Sequence, residues 1–247
     1  KGVQKLTVKV TDSTDKGFQP HGKQVLEPHG IWYTPVTGIW QTVWIEPVPA
    51  ANRIEGITTR SDIRAGVLSV DVKTARTGSD RVCVTLSADG KTLAERSSMA
   101  GQPVHLAVEH PRLWSPDDPY LYDLTVTLVR DGRVIDRAES YAALREIATG
   151  RDANGIERMT LNGRPLFHFG PLDQGWWPDG LYTAPTDEAL LYDIRFTKQL
   201  GFNMIRKHIK VEPERWYWHC DREGILVWQD MPSGDMSTGK SIGAVKS

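Results

Sequence analysis

GFNMIRKHIKVEPERWYWHCDREGILVWQDMP, from Gly201 to Pro232, decides how this chain is read. FNMI (Phe202 to Ile205) has the apolar, branched character of a short strand, and Pro213 stands where a helix can begin without losing a needed N–H. The run that follows reaches Glu223 and stops at Gly224, a residue that ends helices by accepting positive φ. ILVW (Ile225 to Trp228) is then a second strand. Upstream, Thr186 before Asp187 and Glu188 reads as an N-cap with acids in the first turn. The segment Asp187 to Leu200 carries Tyr192, Phe196 and Leu200 at spacing four, with Leu190 and Ile194 beside them, and Gly201 closes it. Strand, helix, strand, helix, strand implies a parallel sheet with right-handed crossovers.

Working outward, residues 51–148 have a different period. VLSVDV (Val67 to Val72), RVCVTL (Arg81 to Leu86) and YDLTVTLV (Tyr122 to Val129) are strand-like, and Asp89-Gly90 and Asp131-Gly132 are two-residue hairpin turns. Several such strands in about 100 residues predict an antiparallel sandwich of the immunoglobulin type, without that fold's two cysteines. Asn162-Gly163 is a further turn, and LFHF (Leu166 to Phe169) leads into the α/β unit. Residues 1–50 read as β structure: Leu6, Val8 and Val10 alternate, and GIWQTVWIEPV (Gly38 to Val48) is rich in branched and aromatic residues. Trp32, Trp40 and Trp44 are expected to pack that first domain. The domains expected are therefore 1–50, 51–148 and 149–247.

Composition removes several classes. The chain has 247 residues, of which 39% are hydrophobic and 25% charged, so it is globular rather than disordered. Thirty basic residues against thirty-one acidic ones leave a net charge of −1, with no basic stripe for nucleic acid. No apolar run reaches the roughly 20 residues of a membrane span, and the start, KGVQKLTVKV, is no signal peptide. The compartment stays open, with periplasmic or secreted locations compatible. Cys83 and Cys220 are too few for a disulfide framework. His219-Cys220 has no partner at ligand spacing, so no metal or other cofactor is expected. GDMSTGKS (Gly234 to Ser241) matches the phosphate-loop pattern, yet no acid follows it to hold Mg²⁺ and Gly243 interrupts any following helix, so a nucleotide site is rejected.

In a parallel α/β sheet, ligands meet the carboxyl ends of the strands. Those ends carry Asp173 and Gln174, then Arg206, Lys207 and His208, then Gln229 and Asp230, all expected at one mouth. Trp176, Trp177 and Trp228 lie alongside. Hydrogen-bonding groups beside flat aromatic faces suit a sugar. The bland readings are an Arg206–Asp230 structural ion pair, and packing roles for Trp216 and Trp218.

Four ordered stretches carry a resemblance. GIWQTVWIEPV, LWSPDDPYLYDLTVTL (Leu113 to Leu128), LNGRPLFHFGPLDQGWWPDG (Leu161 to Gly180) and the Gly201 to Pro232 run together resemble glycoside hydrolase family 2, the β-galactosidase, β-glucuronidase and β-mannosidase family. The resemblance implies the last strand of a jelly-roll sugar-binding domain, an immunoglobulin-like domain and the first strands of a (β/α)8 TIM barrel. It also implies retaining hydrolysis by two glutamates about 5 Å apart, one of them following an asparagine. None of Asn52, Asn154, Asn162 and Asn203 precedes a glutamate. The catalytic pair is therefore expected beyond Ser247, and the 247 residues alone are expected to be inactive. What carries over is substrate contact by Asp173, Arg206, His208, Trp228 and Asp230. Asp173 stands where galactosidases more often have histidine, and Lys207, His208 and Ile209 replace a histidine-tyrosine-proline run. The expected activity is hydrolysis of terminal β-linked sugars, β-galactosidase-like. The competing reading is a non-catalytic carbohydrate-binding or structural module. A three-stranded parallel sheet leaves an open edge, so homo-oligomers are a further expectation.

Overall fold

The structure is a computed structural model that describes residues 2–17 and 19–234. Among the described residues the backbone forms two compact units, one within the ranges 1–44, 169–220 and 225–247, the other within 45–168 and 221–224.

The second unit is the predicted antiparallel sandwich. Strands β1 (Ile54–Asp62), β2 (Val67–Thr74), β3 (Arg81–Ala88), β4 (Lys91–Met99), β5 (Val104–Ala107), β6 (Tyr122–Arg130) and β7 (Arg133–Ala142) form it. They lie in a sheet ordered β1-β2-β5 and another ordered β4-β3-β6-β7. Alternation does the work. Leu68, Val70 and Val72 on β2, Val82, Val84 and Leu86 on β3, and Leu124, Val126 and Leu128 on β6 all point into one core. Each such side chain removed from water contributes about 1.5–3 kcal/mol. The hairpin turns are of the expected kind: φ is +50° and +74° at Asp89-Gly90, and +48° and +74° at Asp131-Gly132. Trp114, from the tryptophan-serine-proline stretch, is fully buried, with the Arg145 guanidinium 4.4 Å from its ring centroid and its carbonyl accepting from Asn162 Nδ2 at 3.0 Å. Asp80 accepts from both Nε and Nη2 of Arg130 at 2.7 and 2.8 Å, and from Asn52 Nδ2 at 2.7 Å. These contacts hold its carboxyl at about 2. A smaller sheet follows, ordered β10-β9-β8, from β8 (Ile147–Arg151), β9 (Glu157–Leu161) and β10 (Arg164–Pro165).

The first unit holds the parallel sheet. β11 (Leu172–Asp173), α1 (Asp187–Gln199), β12 (Met204–Lys207), α2 (Glu214–Glu223) and β13 (Leu226–Gln229) alternate as expected, and the strands lie in the order β11-β12-β13. Thr186 caps α1, its Oγ1 accepting from the Ala189 N–H at 3.1 Å. β12 and β13 begin and end one or two residues later than the apolar runs suggested, because polar Arg206, Lys207 and Gln229 are also in the ladder. The helix α1 buries Leu190, Ile194 and Thr197, whereas the stripe Tyr192, Phe196 and Leu200 lies on another face and is exposed. Leu190, Ile194, Ile205, Trp216, Cys220 and Ile225 form the core of this unit. No helix among the described residues is long and apolar enough to cross a membrane.

Residues 1–50 depart from the β reading. Among the described residues they contain no strand, only an isolated Gln24–Tyr33 bridge. A strand needs neighbours for its N–H and C=O groups. Leu6, Val8, Val43, Trp44 and Ile45 are instead exposed. Trp40 does not pack a β domain but meets Tyr182 edge-on, with ring centroids 4.6 Å apart. Apart from Gly234, the GDMSTGKS run lies outside the described residues.

Candidate functional site

The carboxyl ends of the three parallel strands are level. Leu172, Arg206 and Trp228 stand in one row, and Asp173, Lys207 and Gln229 in the next. Successive residues of a strand point to opposite faces, so the two rows diverge. The single mouth expected from the sequence is therefore two clusters on opposite sides of the sheet.

On the open face Arg206 binds Asp230. Its Nε lies 3.2 and 3.0 Å from the two carboxylate oxygens and its Nη2 lies 2.9 Å from Oδ2. His208 Nδ1 is 2.9 Å from the same Oδ2. The Arg206 guanidinium, and after it His208, hold the Asp230 carboxyl below the usual carboxylate range. Asp230 is placed by its own N–H, which donates to the Lys207 carbonyl at 2.9 Å, and His208 by its N–H to the Asp173 carbonyl at 2.8 Å. Trp228, in the Arg206 row, is 39% exposed and so presents part of its face to solvent. Arg206, His208, Trp228 and Asp230 are thus gathered in one place.

Asp173 is not with them. Its Oδ2 accepts from Lys207 Nζ at 2.6 Å, and Lys207 Nζ also donates to Glu212 Oε1 at 2.9 Å while sitting 4.4 Å from the Trp216 ring centroid. Glu212 Oε1 also faces Lys210 Nζ at 3.1 Å. Lys210 Nζ donates to the carbonyls of Gly175 at 2.6 Å and Tyr182 at 2.8 Å. Burial lowers the Lys210 pKa, and burial beside Glu212 pushes the Tyr182 phenol up to about 12. Gln229 completes the tie: Nε2 donates to the Lys210 carbonyl at 2.8 Å, and Oε1 accepts from the Tyr217 hydroxyl. Lys207, Lys210 and Glu212 are all nearly fully buried. Breaking such a cluster by removing one partner leaves a charge stranded in a medium that solvates it poorly. Gly175 has φ +66°, and a Cβ there would lie 2.4 Å from Glu212 Oε1, so this corner excludes larger residues.

Lys210, Glu212 and Gly175 are the residues that sequence reasoning missed. Lysine and glutamate are among the residues most often exposed, and nothing in a single sequence marks a buried lysine. The nearest signal is Gly175 between Gln174 and two tryptophans.

Backbone strain lies beside the site. Ile209 has φ +46°, a region β-branched residues avoid, and its carbonyl would sit 3.0 Å from a Cβ at Gly22. The His21 and Gly22 N–H groups donate to the Ser233 carbonyl at 3.0 and 2.9 Å, so the segment after residue 20 runs past the carboxyl ends of the strands. Lys23 Nζ reaches Gln174 Oε1 at 3.3 Å, and Tyr33 meets Trp176 edge-on at 4.7 Å. A cleft of about 750 Å³ is lined there by Trp32, Tyr33, Gln174, Trp176 and Phe196, with Asp173 and Asp193 at its wall. Trp216 is buried as packing, and His219 Nε2 lies 3.0 Å from Asp187 Oδ1. No group of three or more His, Cys, Asp or Glu side chains suited to a metal occurs among the described residues.

Known proteins resemble this chain over most of its length. Residues 52–145 match the family model described as Glycosyl hydrolases family 2. A Formosa agariphila protein provisionally named a beta-glucuronidase is 30% identical over 223 residues, covering 85% of this chain and 20% of that protein. A Halalkalibacterium halodurans beta-galactosidase is 25% identical over 256 positions, covering 99% of this chain and 24% of that enzyme. Among solved structures, a glycosyl hydrolase family 2 member from Bacteroides cellulosilyticus superposes with a TM-score of 0.61 at 25% identity, over 71% of this chain and 26% of that one. The chain spans between a fifth and a quarter of the length of these two curated relatives. The match of the family model to the sandwich and the similarity of these relatives over most of the chain support a glycosyl hydrolase family 2 fragment.

Proposed function

We propose that this chain is the substrate-facing part of a retaining β-glycosidase acting on terminal β-linked sugars, β-galactosidase-like in its chemistry. In this reading β11, β12 and β13, with α1 and α2, are the opening strands of a (β/α)8 barrel, and residues 51–148 are its immunoglobulin-like companion. Residues 1–50 are the C-terminal part of a jelly roll, a reading supported by the apolar run Ile39, Val43 and Ile45, which stays exposed here.

The observation that carries the proposal is the open-face cluster. Arg206, His208 and Asp230 converge at the carboxyl ends of parallel strands, with Trp228 in the neighbouring register position. The guanidinium and imidazole meet hydroxyls, and the indole face meets the C–H side of a pyranose. Asp173 acts from the other row, by fixing Lys207 and hence the loop after β11, and contacts sugar through the cleft it borders. Acid/base and nucleophilic glutamates come from elsewhere in the parent enzyme, since no asparagine-glutamate pair occurs in the sequence. The chain therefore holds a sugar without cleaving it, and uses no redox cofactor.

The test has two arms. Ligand-observed NMR should show methyl β-D-galactopyranoside binding to the chain and lose the signal in Trp228→Ala. Nitrophenyl β-glycosides should stay intact in its presence. Release of nitrophenol places the catalytic groups inside these residues and refutes the division of labour; binding that survives Trp228→Ala refutes the site.

A further inference from the structure

The open-face cluster also bears on which sugars fit. Arginine recognises a carboxylate through a fork, usually the edge made by Nε and one terminal nitrogen. In Arg206 that edge is already taken, because Nε and Nη2 both face the Asp230 carboxylate at 2.9–3.2 Å. The neighbouring cations offer no substitute. Lys207 is turned to the opposite face and shared between Asp173 and Glu212, and Lys210 is spent on two carbonyls and Glu212.

His208 reinforces this. Its Nδ1 lies 2.9 Å from an oxygen of the ionised Asp230, so Nδ1 carries the proton. The Arg206 charge is offset by the Asp230 carboxylate it faces. Such a site keeps Arg206 N–H donors for hydroxyls, while the arginine charge that would offset desolvation of an anionic sugar is already paired with Asp230.

We infer that Asp230 is a specificity-determining residue: by occupying the forked edge of Arg206 it makes this cluster select neutral pyranosides against uronates. The inference rests on the reading that sugar binds at this cluster, and goes further by choosing between the two substrate classes named among the relatives.

The experiment compares pairs that differ only at C6: methyl β-D-galactopyranoside against its galacturonide, and methyl β-D-glucopyranoside against its glucuronide, titrated into the 247-residue chain at neutral pH. The uronate should bind about tenfold more weakly in each pair, the size of a modest charge mismatch at an exposed site. Asp230→Asn should abolish or reverse the preference, because Arg206 is then free to grip the C6 carboxylate. Trp228→Ala should weaken both members of a pair together. Equal or tighter uronate binding by the unaltered chain overturns the inference while leaving sugar binding intact. A preference unchanged in folded Asp230→Asn overturns the role given to Asp230. Binding of no sugar at all overturns the inference and the reading beneath it. Should Asp230→Asn not fold, the unaltered chain decides the matter by itself.

Discussion

The two units solve stability in opposite ways. The sandwich is held by sixteen buried hydrophobic residues in one cluster, with charges at its margin. The α/β unit has a buried hydrophobic cluster of six, and beside it Lys207, Lys210 and Glu212 are buried as well. A hydrophobic core tolerates imprecision, since contacts that lose a methylene still exclude water. A buried ionic cluster does not, because each member depends on a few fixed polar partners in place of water. The lesson is that the part carrying the candidate site is also the part whose folding depends on a few polar contacts. Tryptophan allows the two to be followed separately. Of nine tryptophans, only Trp114 lies in the sandwich unit, so indole emission reports the α/β unit and the far-ultraviolet β signal is dominated by the sandwich.

The sharpest break is Glu212→Ala. Removing the carboxylate that two buried ammonium groups share should cost about 3–5 kcal/mol, seen as early loss of the indole signal while the β signal melts at its usual temperature. Coincident melting would show that the sandwich leans on that cluster. Leu86→Ala is the mirror experiment: a cavity in the sandwich core should cost about 3 kcal/mol, lowering the midpoint of the β signal in urea. Thr186→Ala removes the cap of α1 and should cost about 1 kcal/mol, read again by indole emission.

Acid sharpens the comparison more gently. Asp80 in the sandwich and Asp187 in the α/β unit each titrate at about 2, against 3.8 when unperturbed. Arg130 and then Asn52 lower the first; Arg215 and then His219 lower the second. Depressed folded values mean stability that is present above pH 3.8 and is lost as pH falls toward about 2. Asp80→Asn should flatten the acid limb of the β signal, and Asp187→Asn that of the indole signal. The smallest effect is expected of Phe196→Lys on the exposed stripe of α1: within about 0.5 kcal/mol in stability, with less self-association by light scattering.

Much of this was legible in advance. Two-residue Asp-Gly turns, alternating strands and the Thr186 cap are local signals, and local chemistry decides them. The helix stripe Tyr192, Phe196 and Leu200 was misleading because α1 has two apolar faces, and only tertiary contact shows that Leu190 and Ile194 turn inward. Residues 1–50 carry strand-like periodicity, but pairing is a property of neighbours, not of a segment. The residues at the strand ends are legible in the sequence as a set, yet their division between two faces is not. Asp173 and Arg206 both stand at strand ends, and the one-residue offset that sends them to opposite faces depends on the register of β11 against β12.

That offset has a consequence for how this part of the molecule can change. Each strand is only two to four residues long, and the charges that stabilise alternate with those that meet the outside. Deleting or inserting one residue within β12 would exchange Arg206 and Lys207, driving a guanidinium toward the packed helices and exposing an amine cut off from both its carboxylates. Substitution can therefore alter the outward row at little risk, whereas a shift in length disturbs the buried charges and the outward row at once.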